Sequence, residues 1–256
     1  MRQLYALARV RNRSEADYRA FQAFQASLIL AYLRRHGCDV AGQCVVDLGS
    51  GVGGYSEEMA RRGARVFSVD LMAHAVEVQG STRVTAGAQA TPFRTASVDL
   101  VFCASLIEHV VEPGLIMQEI ERVLKPGGWC YLSFPPFYGP TGGHEYAPFH
   151  YLGERLALRL ARERSRRGHP DWARRLYPTA DTPDSFAGIY DDWGLYVMTI
   201  AKARRLIGQR QFDLIDQSTR YLPYGFDKWP GVGEFLTWHV QFLLRRRPVS
   251  RCAGDA

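Results

Sequence analysis

The sequence predicts an α/β fold in which helices cover both faces of a mostly parallel sheet. The first observation behind this prediction is a strand, turn and helix pattern: the apolar run Cys44–Val46 reaches Asp47, crosses a glycine-rich turn and continues into a helix-like segment at 55–62. A second apolar run, Val66–Val69, follows and ends at Asp70, which completes a βαβ unit. The second observation is the nearly continuous apolar run at 98–104, which is typical of a parallel strand covered on both faces.

Length and composition are those of a globular domain. The 256 residues can bury one sizeable core, so we expect a single domain over residues 1–256. No apolar run is long enough to cross a bilayer, and the N-terminus lacks the apolar segment of a secretion signal. The five cysteines form no CxxC pair, which argues against a zinc site or disulfides and favours the cytoplasm.

Four glycines shape the turn after the first strand. Gly49, Gly51, Gly53 and Gly54 lack Cβ atoms, so the turn can adopt positive φ angles and a ligand can lie against its backbone. Asp70, about twenty residues further on, stands where an acid binds the hydroxyls of a ribose. The same glycines also satisfy GxGxxG, so this motif alone leaves a nicotinamide dehydrogenase open.

Asp47 and two later segments distinguish between these possibilities. The segments are SVDLVFCASLIEHV (Ser97–Val110) and LKPGGWCYLSF (Leu124–Phe134). Together with the turn DLGSGVG, they make the chain resemble the class I S-adenosylmethionine-dependent methyltransferases over residues 40–135, specifically the small-molecule, methyltransferase type 11-like branch. The resemblance implies a Rossmann-like sheet of seven strands with the last strand antiparallel, helices on both faces and an inserted lid after the fifth strand.

The resemblance also implies which residues bind S-adenosylmethionine, from which the reaction makes S-adenosylhomocysteine. In this family the glycine turn and the acid before it contact the methionine part, while the acid after the second strand binds the ribose. The implied contacts are Asp47, Gly49, Ser50, Gly51, Gly53, Asp70, Leu71, Ala88, Gln89 and Ser105. The chain departs from the family at Gly87, where an acid usually accepts from the adenine amino group. Backbone groups of Gly87 and Ala88, or the Gln89 side chain, are therefore expected to bind adenine.

A helix is predicted before the first strand, over residues 14–36. Apolar residues recur there at helical spacing, Ser14 is suited to cap its start and Gly37 to end it. The resemblance implies that this helix lies over the cofactor and closes the pocket. Tyr18 and Phe21 are then either ligand contacts or core residues, and we favour the core.

The remaining elements complete the predicted sheet. After the βαβ unit the pattern predicts a short helix at 71–79, a strand at 84–86, the fourth strand at 98–104, a helix at 113–124 and the fifth strand at 129–134. Beyond the insertion it predicts a helix at 199–208 capped by Thr199, a sixth strand at 212–221 and a last strand at 237–244.

Residues 135–194 form the insertion, which is too long for a plain connection and is a candidate lid or acceptor pocket. Its first part places His144, Glu145 and His150 just beyond the fifth strand, and a basic amphipathic helix follows at 152–167. The chain is similar here to uncharacterised actinobacterial members of the family, in which GGHE is followed by HYLG.

The chemistry of methyl transfer indicates which residue types to look for. Displacement at a sulfonium is in line, so the site must align acceptor and methyl group in a dry pocket. An oxygen acceptor must also lose a proton, and histidine has a pKa suited to that task. The candidates are His144 first, then His109 and His150, with Glu145 placed to orient or assist His144. Each histidine is as readily explained by a structural role, and no metal is expected.

The predicted function is methyl transfer to a hydroxyl of a small molecule, sugar, glycan or natural product. An RNA or DNA methyltransferase is the alternative, but such enzymes usually carry a D/N/S-PPY loop after the fourth strand, where this chain has CASLIEH. Pro135 and Pro136 lie after the fifth strand instead, and the basic residues are scattered, so no nucleic-acid partner is expected. A non-catalytic protein that binds S-adenosylmethionine is a further alternative, whereas Asp47 and the later motifs oppose a dehydrogenase.

Overall fold

Seven strands of the described residues form one mixed sheet in the computed structural model, in the spatial order β3-β2-β1-β4-β5-β7-β6. The structure describes residues 2–72, 78–168, 185–188, 194–221 and 224–248. The strands are β1 (Cys44–Leu48), β2 (Arg65–Asp70), β3 (Ser81–Thr85), β4 (Val98–Ala104), β5 (Leu124–Phe134), β6 (Phe212–Thr219) and β7 (Val240–Arg246). Strands β1 to β5 are parallel, and β7 pairs antiparallel with both β5 and β6. The predicted Rossmann-like sheet with an antiparallel last strand is confirmed.

Helices accompany this sheet, and two of them carry the predicted caps. The helices are α1 (Arg2–Val10), α2 (Glu15–Arg35), α3 (Gly54–Arg61), α4 (Pro113–Val123), α5 (Glu154–Gly168), α6 (Ile200–Gly208) and α7 (Val232–Leu236). Asp17 N donates to Ser14 Oγ over 3.1 Å, and Lys202 N donates to Thr199 Oγ1 over 3.0 Å. Each cap satisfies a backbone N–H group that has no partner within its own helix. Among these described helices, none is both long and apolar enough to cross a membrane.

The sheet separates two apolar clusters because its central strands are buried on both sides. On one face, Val101 and Cys130 pack with residues of α4 and α6. On the other face, Phe102 and Tyr131 pack with residues of α2 and α3, and their rings stack with centroids 4.9 Å apart. The described cysteines are all buried and free: Cys38, Cys44, Cys103 and Cys130. They pack as small apolar groups.

Some predicted bounds were wrong. The last strand begins at Val240 rather than at 237, because its pairing with β5 and β6 starts at Val240. Strand β5 begins at Leu124, since the segment KPGG continues the strand with a register shift against β4. The predicted helix at 71–79 falls mainly on residues 73–77, which lie outside the described residues. The sequence pattern did not predict α1 or α7.

The described part of the insertion forms a small apolar unit of its own. Its buried residues are Phe137, Tyr146, Ala157, Leu158, Ala161, Phe186 and Leu195. The far end of this unit is attached to the loop after β4, because Tyr196 N donates to Glu108 O over 2.9 Å. The insertion therefore brings its residues next to the carboxyl ends of β4 and β5.

Candidate active site at the carboxyl edge of the sheet

The glycine turn joins the ends of β1 and β2 on one edge of the sheet. Gly49 N and Ser50 N donate to Val69 O over 2.9 and 3.1 Å, which holds the start of the turn against the end of β2. Gly51 N donates to Asp70 Oδ2 over 2.8 Å. The acid that follows β2 thus lies directly against the backbone of the turn, where a ligand in contact with the turn would meet both.

Close neighbours explain why this turn needs glycine. Gly53 has a φ of 82°, and a Cβ atom there would lie 2.3 Å from Val78 Cγ2. At Gly49, with a φ of 71°, a Cβ atom would lie 2.9 Å from Leu106 Cδ1 in the loop after β4. A side chain at either position would collide with its neighbour in a left-handed conformation that favours glycine. The turn is therefore a backbone cradle closed on two sides.

Helix α2 covers the turn, as the resemblance implies. Gly54 N donates to Gln22 Oε1 over 3.1 Å, and Tyr55 OH donates to Gln25 Oε1 over 2.8 Å. Phe21 on the same helix is buried in the structure, which confirms its interpretation as a core residue. The polar side chains of α2 therefore face the turn while its apolar side chains pack inward.

Asp47 lies beneath the turn rather than on its open side. Only 2% of its surface is exposed, and its Oδ2 accepts from Ser56 Oγ over 2.6 Å. Ser68 Oγ donates to Ser56 Oγ over 2.7 Å, which extends the contact into a chain of buried hydroxyls. Burial raises the pKa of Asp47 to about 7; the hydrogen bond from Ser56 opposes this rise and the charge of Asp70 adds to it. Its described contacts make Asp47 a support for the turn.

The predicted adenine contacts lie together on the next edge of the site. Leu71 is 58% exposed directly after β2. A Cβ atom at Gly87 would lie 3.7 Å from Leu71 Cδ2 and 3.9 Å from Gln89 Oε1. The chain thus offers an apolar side chain and an amide oxygen around a position that has no side chain. Ala88 lies between these residues, so the four positions frame one small region.

A second group of side chains meets beyond the ends of β4 and β5. Glu108 and His109 belong to a short 3-10 turn, 107–109, and His144 begins another, 144–146, with a φ of 48°. The Nε2 atoms of His109 and His144 each lie 3.8 Å from Glu108 Oε1. The two imidazole rings are 4.7 Å apart, edge to face. Residues distant in sequence thus form one polar cluster.

His109 is fixed in one orientation as a neutral imidazole. Its Nδ1 lies 2.9 Å from Gly194 O, and because a carbonyl only accepts, Nδ1 carries the proton. Burial and, after it, the neighbouring His144 lower the pKa of His109 to about 3. So low a pKa makes His109 a poor proton acceptor and better suited to a positioning role.

Glu108 has the most unusual environment in the cluster. It is 1% exposed, and neither carboxyl oxygen accepts a hydrogen bond within the described part of the chain. Burial raises the pKa of Glu108 to about 8. A carboxyl group that gains or loses its charge near neutral pH beside an imidazole can take part in proton transfer. The ligand atoms of Glu108, His109 and His144 also lie within 4.8 Å of one another, close enough to surround one divalent ion.

Comparison with known proteins shows the family. A family model described as a methyltransferase domain matches residues 46–132. An uncharacterized methyltransferase of Mycolicibacterium vanbaalenii is 30% identical over 215 residues, which cover 80% of this chain and 77% of that protein. The chain belongs to this methyltransferase family.

Two further comparisons place the methyltransferase among relatives and solved folds. An uncharacterized methyltransferase of Mycobacterium leprae is 33% identical over 172 residues, and the chain spans 64% of that relative's length. The crystal structure of magnesium protoporphyrin IX methyltransferase from Synechocystis, with bound S-adenosylhomocysteine, superposes with a TM-score of 0.53 at 16% identity. It covers 91% of this chain and 87% of that structure. At this identity the likeness shows the fold.

The contacts of the remaining predicted site residues do not by themselves indicate a role in the methyltransferase reaction. Ser105 follows β4 with a φ of 55°, and its N donates to Ser133 O over 2.8 Å. Glu145 is partly buried beside His144. His150 is buried against the ring of Phe137, and burial lowers its pKa, so its described contacts are those of a packing residue.

Sequence reasoning placed Glu108 beside the methyltransferase site without giving it a catalytic role, and it passed over Arg220 and His239. Glu108 could have been selected as an acid in the short loop after β4, at the carboxyl edge of the sheet. Arg220 gives no such signal, because it is one of many arginines and only the pairing of β6 with β7 shows its surroundings.

Proposed function

We propose that this methyltransferase moves the methyl group of S-adenosylmethionine to a hydroxyl oxygen of a small molecule, sugar, glycan or natural product. The observation that supports an oxygen acceptor is the pair of Glu108 and His144, with 3.8 Å between Oε1 and Nε2. A hydroxyl must give up its proton as it is methylated, and a buried carboxyl beside an imidazole can receive it. No comparable apparatus is needed for a neutral amine, whose lone pair attacks directly.

The chain's residues fit the cofactor. A turn with glycine at positions 49, 51, 53 and 54, closed by Val78 and Leu106, places backbone groups near the end of β2. In the proposal, Asp70 accepts from the two ribose hydroxyls, Leu71 covers adenine, and Ala88 and Gln89 bind its polar edge. Gly49, Ser50, Gly51, Gly53 and Ser105 surround the methionine part, with Asp47 beneath them. When bound, the cofactor supplies an electrophilic methyl group on sulfur.

On the acceptor side, His144 is the proposed proton acceptor. Taking up a proton at its imidazole creates a cation next to Glu108, which favours ionisation of that buried carboxyl. His109, fixed to Gly194 O, holds its ring against both groups and excludes water from them. Glu145, adjacent in the same turn, adds negative potential near the two rings. His144 and Glu108 thus divide the work of receiving the proton.

We also propose a small-molecule rather than a nucleic-acid acceptor and a cytoplasmic location. The first rests on the absence of a base-recognition loop after β4, where Glu108 and His109 stand instead. The second rests on the buried free thiols, which are typical of a reducing compartment.

Incubation with methyl-labelled S-adenosylmethionine and a cell extract of the source organism tests the proposal. We expect one labelled small molecule in which the label is the methyl group of an ether. A parallel reaction with His144→Ala should give little of that product. Label on nitrogen or carbon would contradict oxygen transfer, and label in RNA or DNA would contradict the small-molecule acceptor.

A further inference from the structure

We propose that Arg220 and the residues around it bind an oxyanion, a carboxylate or a phosphate, carried by the methyl acceptor. The inference rests on the proposed function and names the class of its substrate. Arg220 directly follows β6, and its N donates to His239 O over 2.9 Å at the start of β7. Because β7 is antiparallel to β5, this point lies on the same edge of the sheet as the ends of β4 and β5.

The surroundings of Arg220 contain aromatic and imidazole groups but no acid. Its Nη2 donates to Tyr55 OH over 2.9 Å, and its Nη1 lies 3.3 Å from His239 Nε2. The guanidinium carbon lies 5.6 Å from the ring centroid of Tyr55 and 5.5 Å from that of Tyr221. Within the described ranges, no carboxylate lies within ion-pair distance of Arg220. These contacts hold the guanidinium in place without neutralising it.

Other arginines of the chain show what is missing. Arg122 and Arg247 lie 2.7 and 2.8 Å from carboxylate oxygens of Glu119 and Asp213. Those two pairs are at least partly exposed, where water already stabilises the charge. Arg220 is partly withdrawn from solvent and still has no acidic partner, so an external anion is the natural complement.

Arg220 also lines a cavity of about 830 Å³, a size that suits a small molecule. Its polar wall includes Gln25, Ser218, Tyr221 and Gln241. The charged residues among its described lining are four arginines: Arg34, Arg35, Arg62 and Arg220. Arg34 and Arg62 pair with Asp39 and Glu58 over 3.7 and 3.1 Å, whereas Arg220 has no acidic partner among the described residues. The end of the cavity at Arg220 is therefore the part that attracts an anionic ligand.

His239 connects this cavity to the proposed catalytic group. It is buried, and burial lowers its pKa well below the usual value, with the charges of Arg220 and His144 lowering it further. Its Nε2 lies 3.3 Å from Arg220 Nη1. In the proposal, an acceptor with its oxyanion at Arg220 extends along this edge of the sheet toward the residues that follow β4 and β5, His144 among them.

Inorganic phosphate and acetate are the probes that test the subsite. Their binding to the full chain saturated with S-adenosylhomocysteine is followed by ³¹P and ¹³C line broadening, and the affinity for S-adenosylhomocysteine itself by calorimetry. We expect Arg220→Gln to weaken binding of the better probe at least tenfold and to leave the cofactor affinity unchanged. Arg220→Lys, which keeps the charge, should retain measurable binding, and circular dichroism of each variant reports its folding. Arg245→Gln is the matched control, because this residue lies over Trp129 at the opposite end of β7.

Each outcome decides the proposal. Equal probe binding by wild type and Arg220→Gln would overturn it, as would loss of cofactor affinity in that variant, which would assign Arg220 to the carboxylate of the cofactor. The stronger of the two probes identifies the acceptor group as phosphate or carboxylate. A labelled acceptor that carries neither group would overturn the subsite and leave oxygen methylation intact. Probe binding without any methylated product would instead support the subsite and contradict the proposed function.

Discussion

The glycine turn and the Glu108 cluster occupy the same edge of the sheet but are built differently. In the turn, backbone N–H groups meet nearby acceptors, as when Gly51 N donates to Asp70 Oδ2 over 2.8 Å. In the cluster, the oxygens of Glu108 accept no hydrogen bond from the described residues, and the nearest imidazole nitrogens are 3.8 Å away. The polar groups of the turn have hydrogen-bond partners without a ligand, whereas the carboxyl oxygens of Glu108 have none among the described residues.

This difference indicates which step each region serves. The backbone of the turn keeps its geometry with or without a ligand. It therefore suits the cofactor, which is the same molecule in every reaction cycle. A buried carboxyl without hydrogen bonds is costly to the fold, and such groups concentrate where chemistry needs them. The comparison predicts that variants in the cluster reduce turnover and that variants in the turn reduce cofactor binding.

Replacing His144 by alanine should have the largest effect. We expect turnover of the labelled acceptor to fall by roughly 10²- to 10⁴-fold, because a positioned proton acceptor contributes about that much. Calorimetric affinity for S-adenosylmethionine should not change. His36→Gln, at the C-cap of α2 where Nδ1 lies 3.0 Å from Tyr32 O, serves as the control histidine. A variant that turns over at the wild-type rate would remove His144 from the reaction.

The complementary change, Asp70→Ala, should weaken S-adenosylmethionine binding by a factor of ten or more. A hydrogen bond to a charged group contributes about 1.5–3 kcal/mol, and the variant also removes the acceptor of Gly51 N. Titration calorimetry measures the loss, with Asp213→Asn as a control acid whose partner Arg247 lies on the surface. Unchanged affinity would refute the binding of ribose by Asp70. It would also refute the comparison, in which variants of the turn reduce cofactor binding.

The two regions also differ in how far the sequence predicts them. Gly51 and Asp70 are nineteen residues apart within one βαβ unit, so local patterns determine their contact. His109 and Gly194 are eighty-five residues apart, and their hydrogen bond depends on where the insertion packs. The sequence therefore predicted the sheet and the glycine turn. The burial of Glu108, and the lack of an acidic partner for Arg220 among the described residues, follow from tertiary contacts that no local pattern contains. The alternation around Trp238 also set the predicted start of β7 three residues early, at 237 instead of Val240.

Glu108→Gln should alter the pH dependence of turnover. If Glu108 must be ionised to stabilise protonated His144, the wild-type rate should rise with pH through about 8, the pKa that burial gives this carboxyl. The amide cannot ionise, so the variant should lack that rise and be slower above pH 8. Rates of both proteins with saturating substrates across pH 6 to 10 make the test (roughly two pH units on each side of the transition). An identical rise in the variant would assign the proton to another group.

Asp47→Asn should change stability rather than chemistry. The pKa of Asp47 is about 7 in the fold against 3.8 for an ordinary aspartate, so the folded chain binds this proton more tightly than the unfolded chain does. The resulting stability is fully present below about pH 4 and is lost as pH rises through 7, with an upper bound of roughly 4 kcal/mol. The variant should therefore lose less stability over this range. Urea unfolding at pH 5 and pH 8 measures it, and equal losses would show that Asp47 titrates normally.

Removal of divalent metals should have the smallest effect. The sequence carries no metal-binding motif, and the proposed roles of Glu108, His109 and His144 need only protons. We expect turnover after dialysis against EDTA to stay within twofold of the untreated rate. Loss of activity that zinc or manganese restores would show instead that the three ligand atoms within 4.8 Å bind an ion. In that case the rise in rate near pH 8 would reflect ionisation of a metal-bound water to hydroxide. The comparison would then be between a cofactor site and a metal site. Glu108→Gln should lower metal affinity as well as the rate.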